Sequence, residues 1–339
     1  MRFLPLLLLA LSACLPQSAN TDATDMGMAV SGSGSAGSHG GANAFANSLP
    51  SVAYGENILV QEDRTYRVLG KDGLWDVFFE ELRADGNGEF LLSLSAVAFD
   101  DAPVSSIPNM FWTDLYATRG RYLVHFRDPH LGEDNIVRFS YSWNEIPGFN
   151  VIAGRKCLQY RAESRFGFGS LEIYLDNQNN HLLGWKRFDP ADALAAEMEV
   201  TSVDFAPTFT NQAWSQPLAS ERDYDPLNDD VLLGITPQPA VYLPLGFNQS
   251  RIRFVDAERA FGTMVPNIYF EHYTDGIQNL LIAQSRLLTS PSPQATINFA
   301  NRTDLGGVRV VEGVAGARQI YVIGSLPRQE LLAVFGAMD

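Results

Sequence analysis

The sequence predicts an α+β protein that is mainly antiparallel β, and three observations carry this prediction. Residues 151–205 contain successive runs of alternating apolar and polar residues, separated by turn residues. Runs of the same kind recur between residues 57 and 141. Another set follows residue 240 and ends in apolar residues at helical spacing. Strict alternation indicates strands with one buried face, and strands joined by short turns pair antiparallel.

The first set of elements covers the chain up to residue 205. The Asp-Gly-Asn-Gly sequence at residues 85–88 predicts a hairpin turn, because these residue types accept positive φ angles. A short helix is expected at residues 109–116 and a helical turn at residues 192–197. Strands are expected at residues 57–60, 65–70, 75–82, 90–97, 121–126, 136–141, 171–175, 182–188 and 199–205, with a further short strand that carries Cys157.

The second set of elements follows a polar, acidic, proline-containing stretch. A hairpin is expected around the turn at residues 274–276, and the last apolar residues predict a helix with Ser325 as its N-cap. Further strands are expected at residues 251–254, 307–311 and 318–324. The predicted organisation is a signal peptide at 1–13, a lipid-anchored tether at 14–50, a first domain at 51–215, a linker at 216–238 and a second domain at 239–339.

The N-terminus predicts export. Arg2 precedes an apolar run at residues 3–11 that is too short to span a bilayer, which is typical of a secretory signal. The run ends in Leu-Ser-Ala-Cys, which looks like a bacterial lipobox and predicts lipidation of Cys14. The alternative is an ordinary signal peptide with an incidental Cys14. Leu15 resembles the sorting signal for the outer membrane, and the Gly/Ser-rich residues 31–41 suit a flexible spacer facing the periplasm.

Charge and cysteine content exclude several classes of function. The net charge is −15, which opposes binding to a phosphate backbone, so no nucleic-acid partner is expected. The chain has 2 cysteines and no CxxC motif. With Cys14 lipidated, Cys157 has no disulfide partner and is expected to be a small buried apolar side chain.

Catalytic and metal-binding motifs are sparse. The sequence lacks a GxSxG elbow, an HExxH motif, a P-loop and a GxGxxG fingerprint, so neither an enzyme nor a cofactor is predicted. His125, Asp128 and His130 offer two imidazoles and a carboxylate for a metal, but surface strand and turn residues explain them equally, and no metal is predicted. No motif in the sequence indicates the pair of carboxylates that glycoside hydrolysis requires.

Aromatic residues are abundant in the first domain. Packing between a curved sheet and its helices accounts for most of them, and an apolar cavity for acyl chains is the functional alternative. The candidate cavity residues are Trp75, Phe78, Phe111, Trp112, Tyr174 and Trp185.

Several ordered segments resemble the RseB/MucB family of sigma-E regulatory proteins. Residues 152–161 read IAGRKCLQYR and look like the family segment V-A-G-R-x-(C/A). Residues 171–176 and 180–185 resemble the strand and hairpin that follow it. In the second domain, LPLGF at 243–247 and EHYTDGI at 271–277 resemble L-P-x-G-F and Y-S-D-G-L, and a closing segment at 308–324 is similar too. The resemblance covers residues 55–335 in order.

The resemblance implies a fold and a function. The fold is a LolA-like half-open barrel capped by helices, shared with the LolA and LolB lipoprotein carriers, plus a smaller C-terminal α/β domain. The function is non-catalytic: binding of a membrane anti-sigma factor in envelope stress, with release when a lipid or lipoprotein occupies the cavity. One alternative is a LolB-like lipid or lipoprotein acceptor at the outer membrane, and another is a hydrolase with dispersed catalytic residues.

Overall fold

The structure, a computed structural model, describes residues 49–69, 73–99, 102–103, 127–210, 214, 220–256, 267–287 and 309–338. Within these residues it consists of two antiparallel sheets, three α-helices and one 3-10 turn. The first sheet stays open, because its two end strands are not paired with each other. The predicted fold class, α+β and mainly antiparallel with an open half-barrel sheet, is confirmed.

The first sheet has nine strands in the order β4-β3-β2-β1-β9-β8-β7-β6-β5. Its strands are β1 Leu59–Leu69, β2 Trp75–Asp85, β3 Phe90–Phe99, β4 Ala102–Pro103, β5 Tyr141–Ile152, β6 Arg155–Ser164, β7 Ser170–Asp176, β8 Leu182–Phe188 and β9 Leu194–Asp204. Two predicted short strands are thus one strand, β1. The predicted hairpin between β2 and β3 is confirmed, and the Asp85 carboxylate closes its turn by accepting from the backbone N–H groups of Asn87 and Glu89.

One predicted strand is a helix. Residues 136–141 were expected to be extended, but Asp134–Ser140 forms helix α1. Asp134 lies in the first turn, where a carboxylate favours the helix dipole, and it pairs with Arg138 one turn later. Val137 is the fully buried residue of this short helix. A helix of two turns leaves too few apolar repeats to be distinguished from alternation.

The helical turn predicted at residues 192–197 is wrong, because most of this segment belongs to a strand. Its alanines favour a helix in isolation, yet β9 begins at Leu194 and pairs with both β8 and β1. A turn at Asp189 precedes it: the Asp189 carboxylate accepts from the N–H groups of Ala191 and Ala193, and Asp192 has a φ of 61°. Pairing on both edges overrides the local propensity.

The second sheet has six strands in the order β10-β11-β12-β13-β15-β14. They are β10 Ser220–Asp223, β11 Asn248–Asp256, β12 Asn267–Thr274, β13 Asn279–Arg286, β14 Arg309–Ala315 and β15 Arg318–Gly324, accompanied by helices α2 Pro226–Leu233 and α3 Arg328–Gly336. The predicted hairpin around residues 274–276 joins β12 and β13.

Two boundaries differ in detail from the expectation. The segment predicted as a linker, 216–238, contains β10 and α2. Helix α3 is confirmed, but its N-cap is Pro327, while the Ser325 hydroxyl donates to Gln278 Oε1 at 2.9 Å. The predicted helix at 109–116 and the strand at 121–126 lie outside the described residues.

Both sheets contribute to one apolar core. A single cluster of buried side chains includes Tyr66 and Trp185 of the first sheet and Phe270, Leu281 and Tyr321 of the second. A separate cluster on the far side of the second sheet packs against α3 through Leu331 and Val334. None of the helices in the described residues is long and apolar enough to cross a membrane.

Candidate functional site: the core face of the first sheet

The strand register divides the side chains of the first sheet between two faces. Directly opposed residues on antiparallel neighbours point to the same side. Phe78, Tyr66, Met198, Trp185 and Ile173 pair in turn across β2, β1, β9, β8 and β7, and they define the core face. The residues that alternate with them form the opposite face. All five of these residues belong to the core shared with the second sheet, and Tyr174 of the opposite face belongs to the same buried cluster.

Aromatic rings occupy the centre of the core face. The Tyr66 ring lies 5.9 Å from the Phe78 ring and 5.8 Å from the Trp185 ring, measured between centroids. All three side chains have no exposed surface. Side chains therefore fill the face at this point, and the rings contribute packing energy through offset and tilted contacts.

A buried ion network lies beside the rings. The Arg64 guanidinium donates to Glu80 Oε2 at 2.8 Å and to Asp128 Oδ2 at 3.2 Å. The Arg127 guanidinium donates to Glu80 Oε2 at 3.0 Å and to Asp128 Oδ1 at 3.0 Å, and lies 4.0 Å above the Tyr66 ring. Trp185 Nε1 donates to Asp128 Oδ1 at 3.3 Å. The network joins Arg127 and Asp128 to strands β1, β2 and β8.

The four charges of this network compensate one another. Burial alone raises the pKa of Glu80, but the guanidinium groups of Arg127 and Arg64 outweigh it and hold that pKa below its usual value. Burial lowers the pKa of Arg64 and Arg127, whereas the adjacent carboxylates raise it, and the net direction for both is upward. Mutually paired groups without access to solvent are suited to holding elements together rather than to acid–base catalysis.

A histidine connects the start of the described chain to this face. His181 is fully buried; its Nε2 lies 2.7 Å from Glu62 Oε2, and its Nδ1 lies 3.2 Å from the carbonyl oxygen of Ala53. The carbonyl can only accept, so the Nδ1–H group donates to it and Nε2 faces the Glu62 carboxylate. Backbone bonds from Ala53 to Asn180 and Leu182 reinforce this attachment.

The hairpin turn between β12 and β13 docks onto the first sheet. The Tyr141 hydroxyl donates to Asp275 Oδ2 at 2.6 Å and accepts from Gln278 Nε2 at 2.9 Å. The Gly132 N–H donates to the carbonyl of Gly276 at 2.7 Å. Asp275 is buried, and desolvation raises its pKa to about 6, against the opposing effect of the hydrogen bonds from Tyr141, Gln278 and Ile277.

A second contact between the two sheets involves the loop before β11. The Phe247 ring meets the Phe168 ring edge-on at 6.4 Å. A Cβ atom added to Gly246 would lie 2.6 Å from the Phe166 ring, so only glycine allows this approach. We call these contacts and those of the β12–β13 turn the junction.

The predicted cavity residues are divided between the two faces. Phe78 and Trp185 meet on the core face through Tyr66. Trp75 lies on the opposite face below the Arg67 guanidinium, at 4.8 Å, and the Tyr174 hydroxyl on that face donates to Glu172 Oε2 at 2.9 Å. Phe111, Trp112 and Cys14 lie outside the described residues. The apolar cavity and the lipidation of Cys14 stay predictions.

Two other residues considered from the sequence have structural roles. Asp128 belongs to the ion network, and the His130 ring stacks on Tyr54 at 4.3 Å; His125 lies outside the described residues. No cluster of potential metal ligands occurs in the part of the chain that the structure describes. Cys157 is free and buried, as predicted, and burial raises the pKa of its thiol.

The ion network was missed by the sequence interpretation. The signal was present in β1, where Glu62 and Arg64 alternate in phase with Val60, Tyr66 and Val68, all of them buried. Charged residues in the apolar phase of a strand must either be paired or disrupt the core. Their distant partners are Asp128, 64 residues after Arg64, and His181, 119 residues after Glu62, and no local pattern identifies either.

Comparison with known proteins gives similarities of structure alone. No family model and no curated protein matches the sequence. The solved structure of MucB is similar with a TM-score of 0.47 and 13% identity, covering 84% of this chain and 92% of that chain. The MucA/MucB complex of Pseudomonas aeruginosa has a TM-score of 0.42 and 13% identity, covering 81% of this chain and 90% of that one.

A smaller similarity extends to part of the chain. A domain described as an outer membrane lipoprotein-sorting protein, from Vibrio parahaemolyticus, has a TM-score of 0.16 and 6% identity and covers 45% of this chain and 87% of its own. The sequence motifs resemble the same family, and this chain covers 92% and 90% of the length of the two MucB chains.

Proposed function

We propose that this protein is a non-catalytic binding protein of the bacterial envelope, acting as RseB/MucB regulators do. It binds the periplasmic part of a membrane anti-sigma factor, and a lipid or lipoprotein acyl chain competes with that binding. The protein is exported and held at the membrane through a lipid on Cys14, with residues 15–50 as the tether.

One observation carries the proposal: two of the three second-domain segments that resemble the family, 243–247 and 271–277, lie at the junction. In the 271–277 motif, Asp275 accepts from Tyr141 and the Gly276 carbonyl accepts from Gly132. In the 243–247 motif, Gly246 and Phe247 contact Phe166 and Phe168. The matched residues therefore hold the two sheets together, which a regulator needs if a ligand of one domain is to alter binding at the other.

The chemistry of the core face supports a binding role. Arg64, Arg127, Glu80 and Asp128 pair with one another, and none of them is accessible to a substrate. A catalytic acid or base has to reach the reacting atom, so these buried charges act as structural groups.

Affinity capture tests the protein partner. The lipidated mature protein, beginning at Cys14, would be immobilised and exposed to solubilised envelope extract of its own organism. We expect recovery of a membrane anti-sigma factor, and reduced recovery after acyl-chain lipid is added. A matched variant, Tyr141→Phe, removes the hydroxyl that donates to Asp275 and should weaken the capture if the junction matters.

Native mass spectrometry of the same preparation tests the ligand. Acylated molecules should accompany the protein and be absent when the anti-sigma factor is bound. Acyl ligands without any anti-sigma partner would instead identify a LolB-like carrier, and would contradict the regulatory role.

A further inference from the structure

The opposite face of the first sheet carries charges of alternating sign. Arg67, Glu197, Lys186, Glu172 and Arg161 pair in turn across β1, β9, β8, β7 and β6. Ion pairs join the two ends of this ladder, from Arg67 to Glu197 and from Arg161 to Glu172. Lys186, in the middle, has no ion pair with any residue that the structure describes, and its ammonium lies 5.8 Å from the Tyr174 ring centroid.

A glycine interrupts the same face next to Lys186. Gly184 pairs with Tyr174 on one side and Glu199 on the other, so the ladder lacks a side chain between them. The end of β5 covers this position, and a Cβ atom added to Gly184 would lie 3.3 Å from Ile152 Cδ1 and 3.0 Å from the carbonyl oxygen of Met198. A cavity of about 130 Å³ remains there.

Opposite charges lie on the walls of this cavity. Lys186 and Glu199 both line it, and neither makes a hydrogen bond or ion pair within the described part of the chain. They are diagonal neighbours, because Lys186 is opposite Glu197 in the register and Glu199 is two residues further along β9. Diagonal positions are about 7–8 Å apart at Cα, which leaves space for a ligand between the two charges.

The remaining walls divide into an apolar and a polar part. Val151 and Ile152 supply the apolar surface at the β5 side, whereas Met198, whose side chain lies on the core face, brings its backbone carbonyl near Gly184. Val151 is 67% exposed, so the apolar side borders solvent. The Tyr174 hydroxyl is already used by Glu172, which fixes the orientation of that ring. Glu197 lines the cavity as well, but its carboxylate is neutralised by Arg67.

We propose that this cavity binds a small zwitterion of the α-amino acid class. The ammonium group of the ligand pairs with Glu199, its carboxylate pairs with Lys186, and a short apolar side chain lies against Ile152 and Val151. The cavity has nearly the volume of an engineered protein cavity of about 150 Å³ that takes up benzene, so it suits a ligand of six to eight heavy atoms in order of magnitude.

A lipid headgroup such as phosphoethanolamine also carries an ammonium group and an anionic group, so it presents the same two charges as an α-amino acid. The apolar wall distinguishes the two sources, because a headgroup has no branched side chain to bury against Ile152. No residue of the junction or of the ion network lines this cavity, so the inference is independent of the proposed anti-sigma partner.

Saturation-transfer NMR on the full mature protein tests the site with L-valine as the probe. We expect saturation transfer to L-valine, and at least tenfold weaker binding in Lys186→Gln and in Glu199→Gln. Isobutylamine and isobutyrate, which each carry one of the two charges, should also bind at least tenfold more weakly. Glu163→Gln is the matched control: it removes an exposed carboxylate of the same sheet outside the cavity, and should bind L-valine as the wild type does.

Absence of saturation transfer in the wild type, or equal binding by the wild type and both charge variants, would overturn the proposal. Binding of phosphoethanolamine in preference to L-valine would overturn the amino-acid assignment.

Discussion

At the scale of single residues, Glu80 is the group on which the core face depends most. It is fully buried and accepts from both Arg64 and Arg127, so one carboxylate compensates two guanidinium groups. Removing one member of a buried ion pair leaves an uncompensated charge in a medium of low polarity, which costs more than the intact pair contributes.

Glu80→Gln should therefore destabilise the protein strongly. We expect a loss of about 3–5 kcal/mol in the free energy of unfolding, measured by urea denaturation at pH 7. The folded pKa of Glu80 is lowered, so its contribution is present above the unfolded pKa and is lost as pH falls through the folded value. Glu163→Gln, an exposed carboxylate of the same sheet, should change stability by less than about 0.5 kcal/mol. Equal effects of the two substitutions would contradict this role for Glu80.

Asp275 should give stability the opposite dependence on pH. Its pKa is raised to about 6 from an ordinary value of 3.8, so its contribution is fully present below the unfolded pKa and is lost as pH rises through about 6. Between pH 5 and pH 8 we expect the free energy of unfolding to fall by about 1 kcal/mol on account of this group. Asp275→Asn should remove that part of the pH dependence. An unchanged slope in the variant would show that another group is responsible.

Single residues were only partly predictable from the sequence. Cys157 was predicted to be a buried apolar side chain, because no partner cysteine was available to it, and the structure agrees. Trp75 and Tyr174 were grouped with Phe78 and Trp185 by composition alone, yet strand parity places them on the opposite face. The pairing register that separates the faces depends on β-bulges, such as the one between Tyr174 and Leu175, which no local signal revealed.

At the scale of elements, the β12–β13 turn determines how the second sheet meets the first. Gly276 has a φ of 97°, and a Cβ atom there would lie 2.9 Å from the backbone nitrogen of Val137 in α1. The turn therefore needs glycine for two reasons: its backbone conformation and the close approach of a helix.

Substitution at two glycines separates these reasons. Gly276→Ala combines strain with a steric clash, whereas Gly148→Ala, at a φ of 113° with open space around it, introduces strain alone. We expect Gly148→Ala to cost about 1–3 kcal/mol and Gly276→Ala to cost distinctly more. Thermal and urea unfolding of both variants would measure the difference. A smaller loss for Gly276→Ala than for Gly148→Ala would contradict the close packing of α1 on the turn.

The spacing of apolar residues predicted correctly whether most elements are strands or helices, and the exceptions have physical causes. Helix α1 has seven residues and one fully buried apolar position, too few for a helical pattern. Strand β9 begins in an alanine-rich run whose helical preference is overridden by pairing on both edges. The LolA-like half-barrel and the second domain were inferred from several weak motifs that occur in the same order as in the family. The periodicity of a single segment does not contain this information.

At the scale of the whole molecule, the shared core makes the two sheets one cooperative unit. Apolar residues from both sheets belong to one buried cluster, and Tyr141, Gly132 and Phe168 add contacts across the junction. Burial of a common apolar surface couples the unfolding of its two sides.

We therefore expect a single unfolding transition for residues 49–339. Hydrogen exchange of β1 and β8 reports on the first sheet, and hydrogen exchange of β12 and β13 reports on the second. The two probes should give the same urea midpoint. Separate midpoints would show that the domains unfold independently, and would weaken the argument that a ligand of one domain affects the other.

We propose that acyl-chain binding and anti-sigma binding exclude one another in this protein. A calorimetric titration of the mature protein with the periplasmic domain of the anti-sigma factor encoded in the same genome, with and without an acyl-chain lipid below its micellar concentration, tests this proposal. We expect saturable one-to-one binding without lipid and at least tenfold weaker binding with it. Absence of binding in both titrations, or equal affinity in both, would contradict it.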